Sequence, residues 1–577
     1  MKLLRLKINT QFNSLSRKGQ KPFELNFRDP FYEEETVSWE AFHPFCFAGL
    51  NGSGKSNVLE ALANIFYHLE CCANVNQPEY FKKEIFRAEK GFPNAYELEY
   101  YIVPKSKFDV LDTEYIKEDG IVATNIKKSD YITSNMVRVE ISKKDDEIPK
   151  INIYDLSTDN TIIATPSIIA KDGLQASSKQ YLPDLVIGYS SGENEVLSIP
   201  FLKTRLLNYD EYCQSIPKEV YKTPESNLVY IDYEMSQAVL LSNFLLQEDA
   251  VLQPLDEHLD IIGVKSFRIT LHLHSIEKEG EKYGLLEEFW PKIEALKSCA
   301  TSCFKRKETL TLDFWINDKT KDAFKKHFNN DIYSLFQTFQ ILYTLNYRIA
   351  EQNHKEDVYE SEGFYTDWKL PRPAPEQKVF YFEEFKIEKR INKEGETIKL
   401  LMKNLSDGEQ QFLHSLGICL MLKGKSALLL LDEPETHFNP DWRSKFISTL
   451  KACLEASNSN NLMRDILITS HSPFIISDCF PDKVIVFKKG EQPKNAKTTN
   501  FRTFGTSIDI IMENIFKKNN TIGDFSRSEI EKIEKEIENF ESLTEEEVIA
   551  YKNRTNHLGD SMEKILLFAQ LNELKKK

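Results

Sequence analysis

The chain has 577 residues, 41% apolar and 28% charged, with a net charge of −15. That length accommodates roughly two to four domains, and the acidic balance argues against a surface that coats nucleic acid everywhere, though not against a local basic patch. No apolar run is long enough to span a bilayer, and nine cysteines at irregular spacings imply no disulfide framework.

The N-terminal segment Lys2–Asn9 alternates charged and apolar residues as a strand does and lacks a signal-peptide core, so the protein is expected in the cytoplasm, with no membrane partner. The apolar run Phe45–Ala48 reads as a second strand. Directly after it, Gly49-Leu50-Asn51-Gly52-Ser53-Gly54-Lys55-Ser56 fits G-x-x-x-x-G-K-[ST], a loop whose glycines let backbone N–H groups turn toward phosphate oxygens. Asn57–Leu69 reads as a helix whose positive N-terminal end faces the same anion. Lys55 is placed to reach the outer phosphates and Ser56 to hold Mg²⁺. Tyr96–Ile102 and Met136–Ile141 read as half-buried antiparallel strands. Polar stretches, Lys127–Asn135 and Ser142–Lys150, separate the strands.

From about Leu206 to Gly363 the pattern changes to an insertion. Met235–Leu246 and Ala323–Leu345 are predicted helices, and Ser266–His274 and Thr309–Ile316 are predicted strands. Phe324, Phe328, Ile332, Leu335, Phe336 and Phe339 recur at helical spacing, which predicts a core-facing stripe. No sustained heptad run occurs, so no long coiled-coil arm is expected. Arg348 and His354 fit a loose Arg-x(4–6)-His spacing found in some ribonucleases, a pattern too permissive to carry an assignment.

The chain then resumes with Phe380–Phe382 and Ile398–Met402, followed by Asn404-Leu405-Ser406-Asp407-Gly408-Glu409-Gln410-Gln411. This octet resembles the signature of ABC-type ATPases. Its Ser-x-x-Glu is also a capping box, and both readings hold together. Leu428–Leu431 is a fully apolar strand ending in Asp432 and Glu433, a carboxylate to hold Mg²⁺ through water and one to orient or deprotonate a water. Ile466–Ser470 reads as the next strand, with His471 at its end. Past Thr503-Phe504-Gly505 come charged helical segments at Arg527–Phe540, Thr544–Lys552 and Ser561–Leu574, expected as a solvated helical hairpin.

The four motifs in this order resemble the ABC-type branch of the AAA-family ATPases, among its RecF-like and overcoming-lysogenization-defect members. The resemblance implies an α/β fold: an ABC-type P-loop ATPase head split by an α+β insertion, with a helical C-terminal tail. The expected divisions are lobe I at 1–205, the insertion at 206–375, lobe II at 376–500 and the tail at 501–577. It implies ATP and Mg²⁺ as cofactors, with Asn51, Gly52, Ser53, Gly54, Lys55, Ser56 and Asn57 on the nucleotide. Ser56 and Asp432 would hold the metal, and Glu433, His471 and Lys55 would be catalytic. Ser406, Gly408 and Glu409 would close over the γ-phosphate from a facing copy, with Asn439 hydrogen-bonding across the same contact. The machine is therefore expected to be a homodimer or higher oligomer. Gln175 and Gln180 are candidates for the glutamine that senses Mg²⁺ in this superfamily. Tyr189-Ser190-Ser191-Gly192-Glu193-Asn194-Glu195 looks like a second signature but is read as a lobe-I loop at a strand end. Without a coiled coil, with no Toprim nuclease motif in the tail, and with a Thr503-Phe504-Gly505 tail similar to that group's, the chain looks most like the Septu-type antiphage ATPases. That resemblance implies a separate HNH nuclease partner, and in some systems a retron reverse transcriptase with its DNA–RNA product. The alternative is a DNA-binding repair ATPase of the RecF and chromosome-structural kind.

Overall fold

A strand that is apolar on both faces must be covered on both faces. In the computed structural model, Ala427–Asp432 meets that demand at the middle of a seven-stranded sheet, with Leu428 through Leu431 fully buried. The structure describes residues 1–16, 19, 21–28, 42–107, 135–156, 161–171, 173–192, 195–216, 227–278, 280–362, 370–392, 395–422, 425–456, 464–518 and 522–575. Most of the expected polar stretch Lys127–Asn135 lies outside them, as do Glu193, Asn194 and Gly363.

Six strands of the central sheet run parallel: Val484–Phe487, Phe45–Gly49, Arg464–Ser470, Ala427–Asp432, Leu185–Ser190 and Leu228–Tyr230, in that spatial order. Asp432 pairs with Thr469 on one side and Ser190 on the other, and Ser470 pairs with Ala48. The register therefore brings the phosphate loop, the acidic pair, His471 and the Tyr189–Gly192 segment to one edge, where open α/β sheets bind their ligands.

The helix Lys55–Ala73 starts two residues before the predicted Asn57 and runs four past Leu69. It lies between the central sheet and a six-stranded antiparallel sheet that holds Lys2–Ile8, Tyr96–Ile102 and Val137–Lys143. Leu59, Leu62 and Phe66 of the helix share one core with Leu3, Leu6 and Leu98 on one side and Phe45, Phe47, Leu428 and Leu430 on the other. Asp465 fastens the two sheets. It accepts both guanidinium nitrogens of Arg28, each at 2.7 Å, and the Leu3 N–H at 2.6 Å.

A third sheet is antiparallel and five-stranded: Ser302–Arg306, Thr309–Trp315, Ile261–His272, Phe380–Arg390 and Thr397–Leu401, beside a two-stranded hairpin of Ser275–Lys278 and Glu281–Gly284. Its central pairing joins Ile261–His272 to Phe380–Arg390, so hydrogen bonds run straight across the expected division at 375/376. Leu228–Tyr230, expected in the insertion, extends the central sheet instead. The single helix predicted over Ala323–Leu345 is two helices, Asp318–His327 and Ile332–Thr344. Asn329 and Asn330 adopt φ of 53°, a left-handed turn that asparagine tolerates. Asp331 then caps the second helix by accepting from Tyr333 N at 2.9 Å and Ser334 N at 3.1 Å. The predicted apolar stripe still turns inward, with Phe324, Phe328, Leu335, Phe336 and Phe339 buried.

The chain divides into two compact units, Met1–Phe504 and Gly505–Lys577. Thr503 and Phe504 belong to the first: Thr503 Oγ1 donates to Cys479 O at 2.8 Å and Phe504 stacks on Phe480. The second unit contains Asp524–Ile537, Glu545–Arg554 and Met562–Glu573, which share a core of Ile530, Ile533, Val548, Leu567 and Leu571. Three helices around one core replace the expected solvated hairpin, because isoleucine and leucine spaced at helical intervals supply each helix with an apolar stripe. Among the described residues no helix is long and apolar enough to cross a membrane, and all nine cysteines are free.

Candidate nucleotide site

The phosphate loop leaves its strand at Gly49 and enters its helix at Gly54, whose φ of 101° lies in the left-handed region. That backbone angle favours glycine, and a Cβ there would also come within 2.9 Å of Leu15 Cδ2, the end of a side chain that can shift. Leu15 belongs to a bracing segment invisible in the motif. Ser14 Oγ donates to Asn57 Oδ1 at 2.6 Å, and Asn13 Nδ2 donates to Glu60. Asn51 and Gly52 are exposed at the tip of the loop. Ser53 Oγ is buried with no hydrogen-bond partner among the described residues. Such an orphan is unusual and suits a loop built to surround an anion.

Lys55 is buried and folds back on its own loop, donating to Gly49 O at 3.0 Å and Leu50 O at 3.3 Å. Its Nζ also lies 2.9 Å from His471 Nε2. The same Nε2 lies 2.9 Å from Glu433 Oε1. The hydrogen bond from His471 is the main cause holding the Glu433 carboxyl below its usual range, with its charge and that of Lys55 assisting against burial. An ionised Glu433 requires Nε2 to carry the proton. Lys55 then presents an ammonium to an N–H, two donors facing each other. An anionic oxygen reached by both would satisfy the two donors once the side chains part, since 2.9 Å leaves no room between them. Burial meanwhile pushes the Lys55 ammonium below its ordinary value, opposed by Glu433 and Asp432.

Beside this cluster, Ser56 Oγ donates to Asp432 Oδ1 at 2.7 Å and Thr469 Oγ1 donates to the same oxygen at 2.6 Å. A hydroxyl and a carboxylate are the hard oxygen donors Mg²⁺ takes when phosphates and water complete its shell. Among the described residues no group of three or more His, Cys, Asp or Glu side chains is placed to hold a metal. Glu433 sits at φ 47°, and its N–H donates to Thr469 Oγ1 at 2.9 Å. Thr469 thus aims both acidic residues. Glu435, two residues on, is buried and bonded to Ser470, which ties the acidic strand end to the histidine strand end.

The signature octet opens a helix of its own. Ser406 caps the helix Asp407–Leu420 in a capping box with Glu409, which Lys389 also contacts. Gly408 is packed against the loop that follows Glu433: a Cβ there would meet His437 O at 2.8 Å and Trp442 Cζ3 at 3.2 Å. The two glycine constraints differ, since Gly408 is demanded by close approach rather than by backbone angle. Asn439 caps the helix Pro440–Ala456, its Oδ1 accepting from Trp442 N at 2.8 Å. Gln180 contacts Ser106, and Gln175 lines a separate cavity near Glu70. The strand end Ser190–Gly192 does adjoin the site, with Ser191 N donating to Asp432 O at 3.1 Å. Arg348 donates to Gln377 O at 3.4 Å, whereas His354 sits on Gln352–Glu360; no contact joins the two among the described residues.

Residues 273–477 match the family described as "AAA domain, putative AbiEii toxin, Type IV TA system". The match supports a P-loop ATPase domain of the AAA family, with ATP-binding activity. The matched span contains Ser406, Asp432, Glu433 and His471, and the phosphate loop lies before it. Protein ea59 of Escherichia phage lambda is 24% identical over 121 residues, which cover 21% of this chain. The similarity spans 22% of the length of that phage protein.

Proposed function

We propose that the chain hydrolyses ATP with Mg²⁺ at this sheet edge, in a composite site completed by a second copy. The observation that carries the reading is the meeting of Lys55, His471 and Glu433 at 2.9 Å separations beside the Ser56–Asp432 pair. Lys55 and His471 would turn from each other to the γ-phosphate. Glu433 would orient the attacking water and accept its proton. Ser56 and Asp432 would hold Mg²⁺, which supplies charge neutralisation across the phosphates. One chain carries one phosphate loop and one signature octet. Ser406 and Gly408 would therefore serve the site of a facing copy, giving a homodimer that tightens on ATP and relaxes after hydrolysis. Replacing Glu433 by Gln is expected to leave ATP binding intact and to slow turnover by roughly 10²–10⁴-fold. Turnover at the wild-type rate would remove Glu433 from the mechanism.

The biological role we propose is regulatory: an ATPase of antiphage defence that controls a separate HNH nuclease, in some settings beside a reverse transcriptase and its DNA–RNA product. What supports it is the motif set, the absence of heptads in the sequence and the likeness of Thr503-Phe504-Gly505 to the Septu-type group. Lys55→Ala should abolish protection from phage while the partner nuclease remains present. Protection that survives this substitution would refute the role.

A further inference from the structure

Two cavities outside the proposed catalytic cluster share a wall. One, about 400 Å³, opens at Ser190–Gly192 and runs along the signature helix past Gln411 and His414. The other, about 600 Å³, continues toward Tyr343 and Tyr347. Tyr230, Asp232, Tyr233 and Arg372 line both, so they form one cleft. Five tyrosines line it, Tyr189 at the near end and then Tyr230, Tyr233, Tyr343 and Tyr347.

Polar side chains line both halves of the cleft. Asp232 is held by Arg205 Nη1 at 2.5 Å and caps the helix Tyr233–Leu246, yet its side chain stays 34% exposed. His414 lines the near cavity, and its Nε2 is buried with no hydrogen-bond partner among the described residues. Burial pushes this imidazole down to about 4, so it is neutral and can offer one donor and one acceptor. The cations Arg205, Arg372 and Lys378 are balanced by Asp232, Glu234 and Asp407. A balanced, tyrosine-walled cleft does not suit a polyphosphate. It suits a flat heteroaromatic ring with hydrogen-bonding edges.

We propose that this cleft binds a nucleobase, stacked on Tyr233 and read at its edge by Asp232, Arg372 and His414. The base could come from a free nucleotide or from a single strand of nucleic acid. The cleft is wired to the catalytic edge. Gln411 Nε2 donates to Ser191 O at 3.0 Å, Gln411 Oε1 accepts from His437 N at 3.2 Å, and Ser191 N donates to Asp432 O. A base in the cleft would therefore press on the loop beside Asp432 and on the signature helix together.

The test uses the full-length Lys55→Ala protein, so that the phosphate loop does not contribute. Calorimetric titration with the four nucleoside 5′-monophosphates and with a short single-stranded oligonucleotide reads the cleft directly. Saturable binding is expected, weakened about tenfold or more by Tyr233→Ala and by Arg372→Ala and retained by Tyr233→Phe. Tyr233 is 39% exposed at the first turn of its helix, so the fold tolerates its loss. Binding of a mononucleotide would assign the site to free nucleotides, and binding of the oligonucleotide alone would assign it to a strand-borne base. The proposal is overturned if no probe binds, if affinity ignores both substitutions, or if binding occurs only in chains that keep Lys55.

Discussion

Glu435 offers a test of how the catalytic edge is held together. Its side chain is 4% exposed, bonded to Ser470 through Oε1, while Oε2 has no hydrogen-bond partner among the described residues. Burial is the main cause raising its carboxyl from 4.5 to about 7, with Glu433 adding to the rise and the Ser470 bond opposing it. Between pH 4.5 and 7 the folded chain keeps a proton that the unfolded chain has released. Stability therefore falls as pH rises through this window and is flat on either side. At about 1.4 kcal/mol per pH unit, the full loss is roughly 3 kcal/mol. Glu435→Gln keeps the shape and cannot ionise, so it should be close to wild type at pH 4.5 and more stable by up to that amount at pH 8. Urea denaturation of both proteins across this range measures the difference. Parallel curves from pH 4.5 to 8 would refute the assigned burial of a proton at Glu435.

Three further outcomes are expected. Asp465→Ala leaves Arg28 and Lys2 buried without their carboxylate and should cost about 3–5 kcal/mol, read as a lowered urea midpoint; an unchanged midpoint would mean the two sheets are not fastened there. Ser406→Ala removes a helix cap and should cost about 1 kcal/mol of stability in the isolated chain. If the facing-copy reading holds, the same variant also lowers ATPase activity far more than that stability loss explains, whereas activity falling only in proportion to unfolding would confine Ser406 to capping. Gly54→Ala should abolish the rise in melting temperature that ATP gives the wild type, since alanine cannot hold φ 101° without strain. An undiminished rise would mean that the loop binds in another conformation.

Much of the architecture is legible in short stretches. The strand Tyr96–Ile102 has the predicted bounds, and the predicted helix Asn57–Leu69 lies within Lys55–Ala73. The helix break at Asn329-Asn330 is not legible, because an unbroken apolar stripe on either side masks a left-handed turn that asparagine permits. The sheet that joins Ile261–His272 to Phe380–Arg390 was missed for another reason: antiparallel partners more than a hundred residues apart leave no local trace.

The candidate site divides the same way. Lys55, Ser56, Asp432, Glu433 and His471 announce themselves because each lies in a contiguous motif whose chemistry is local. The residues that aim them do not. Thr469, Glu435 and Ser191 act through contacts that exist only once parallel strands, connected by long crossovers, lie side by side, and Ser14 and Leu15 through contacts made when the segment after Lys2–Ile8 reaches the phosphate loop. Sequence alone determined which groups could handle a phosphate and a metal. Tertiary structure alone decided which strand ends stand together, because register across a parallel sheet is set by burial on both its faces and not by anything written beside the motifs.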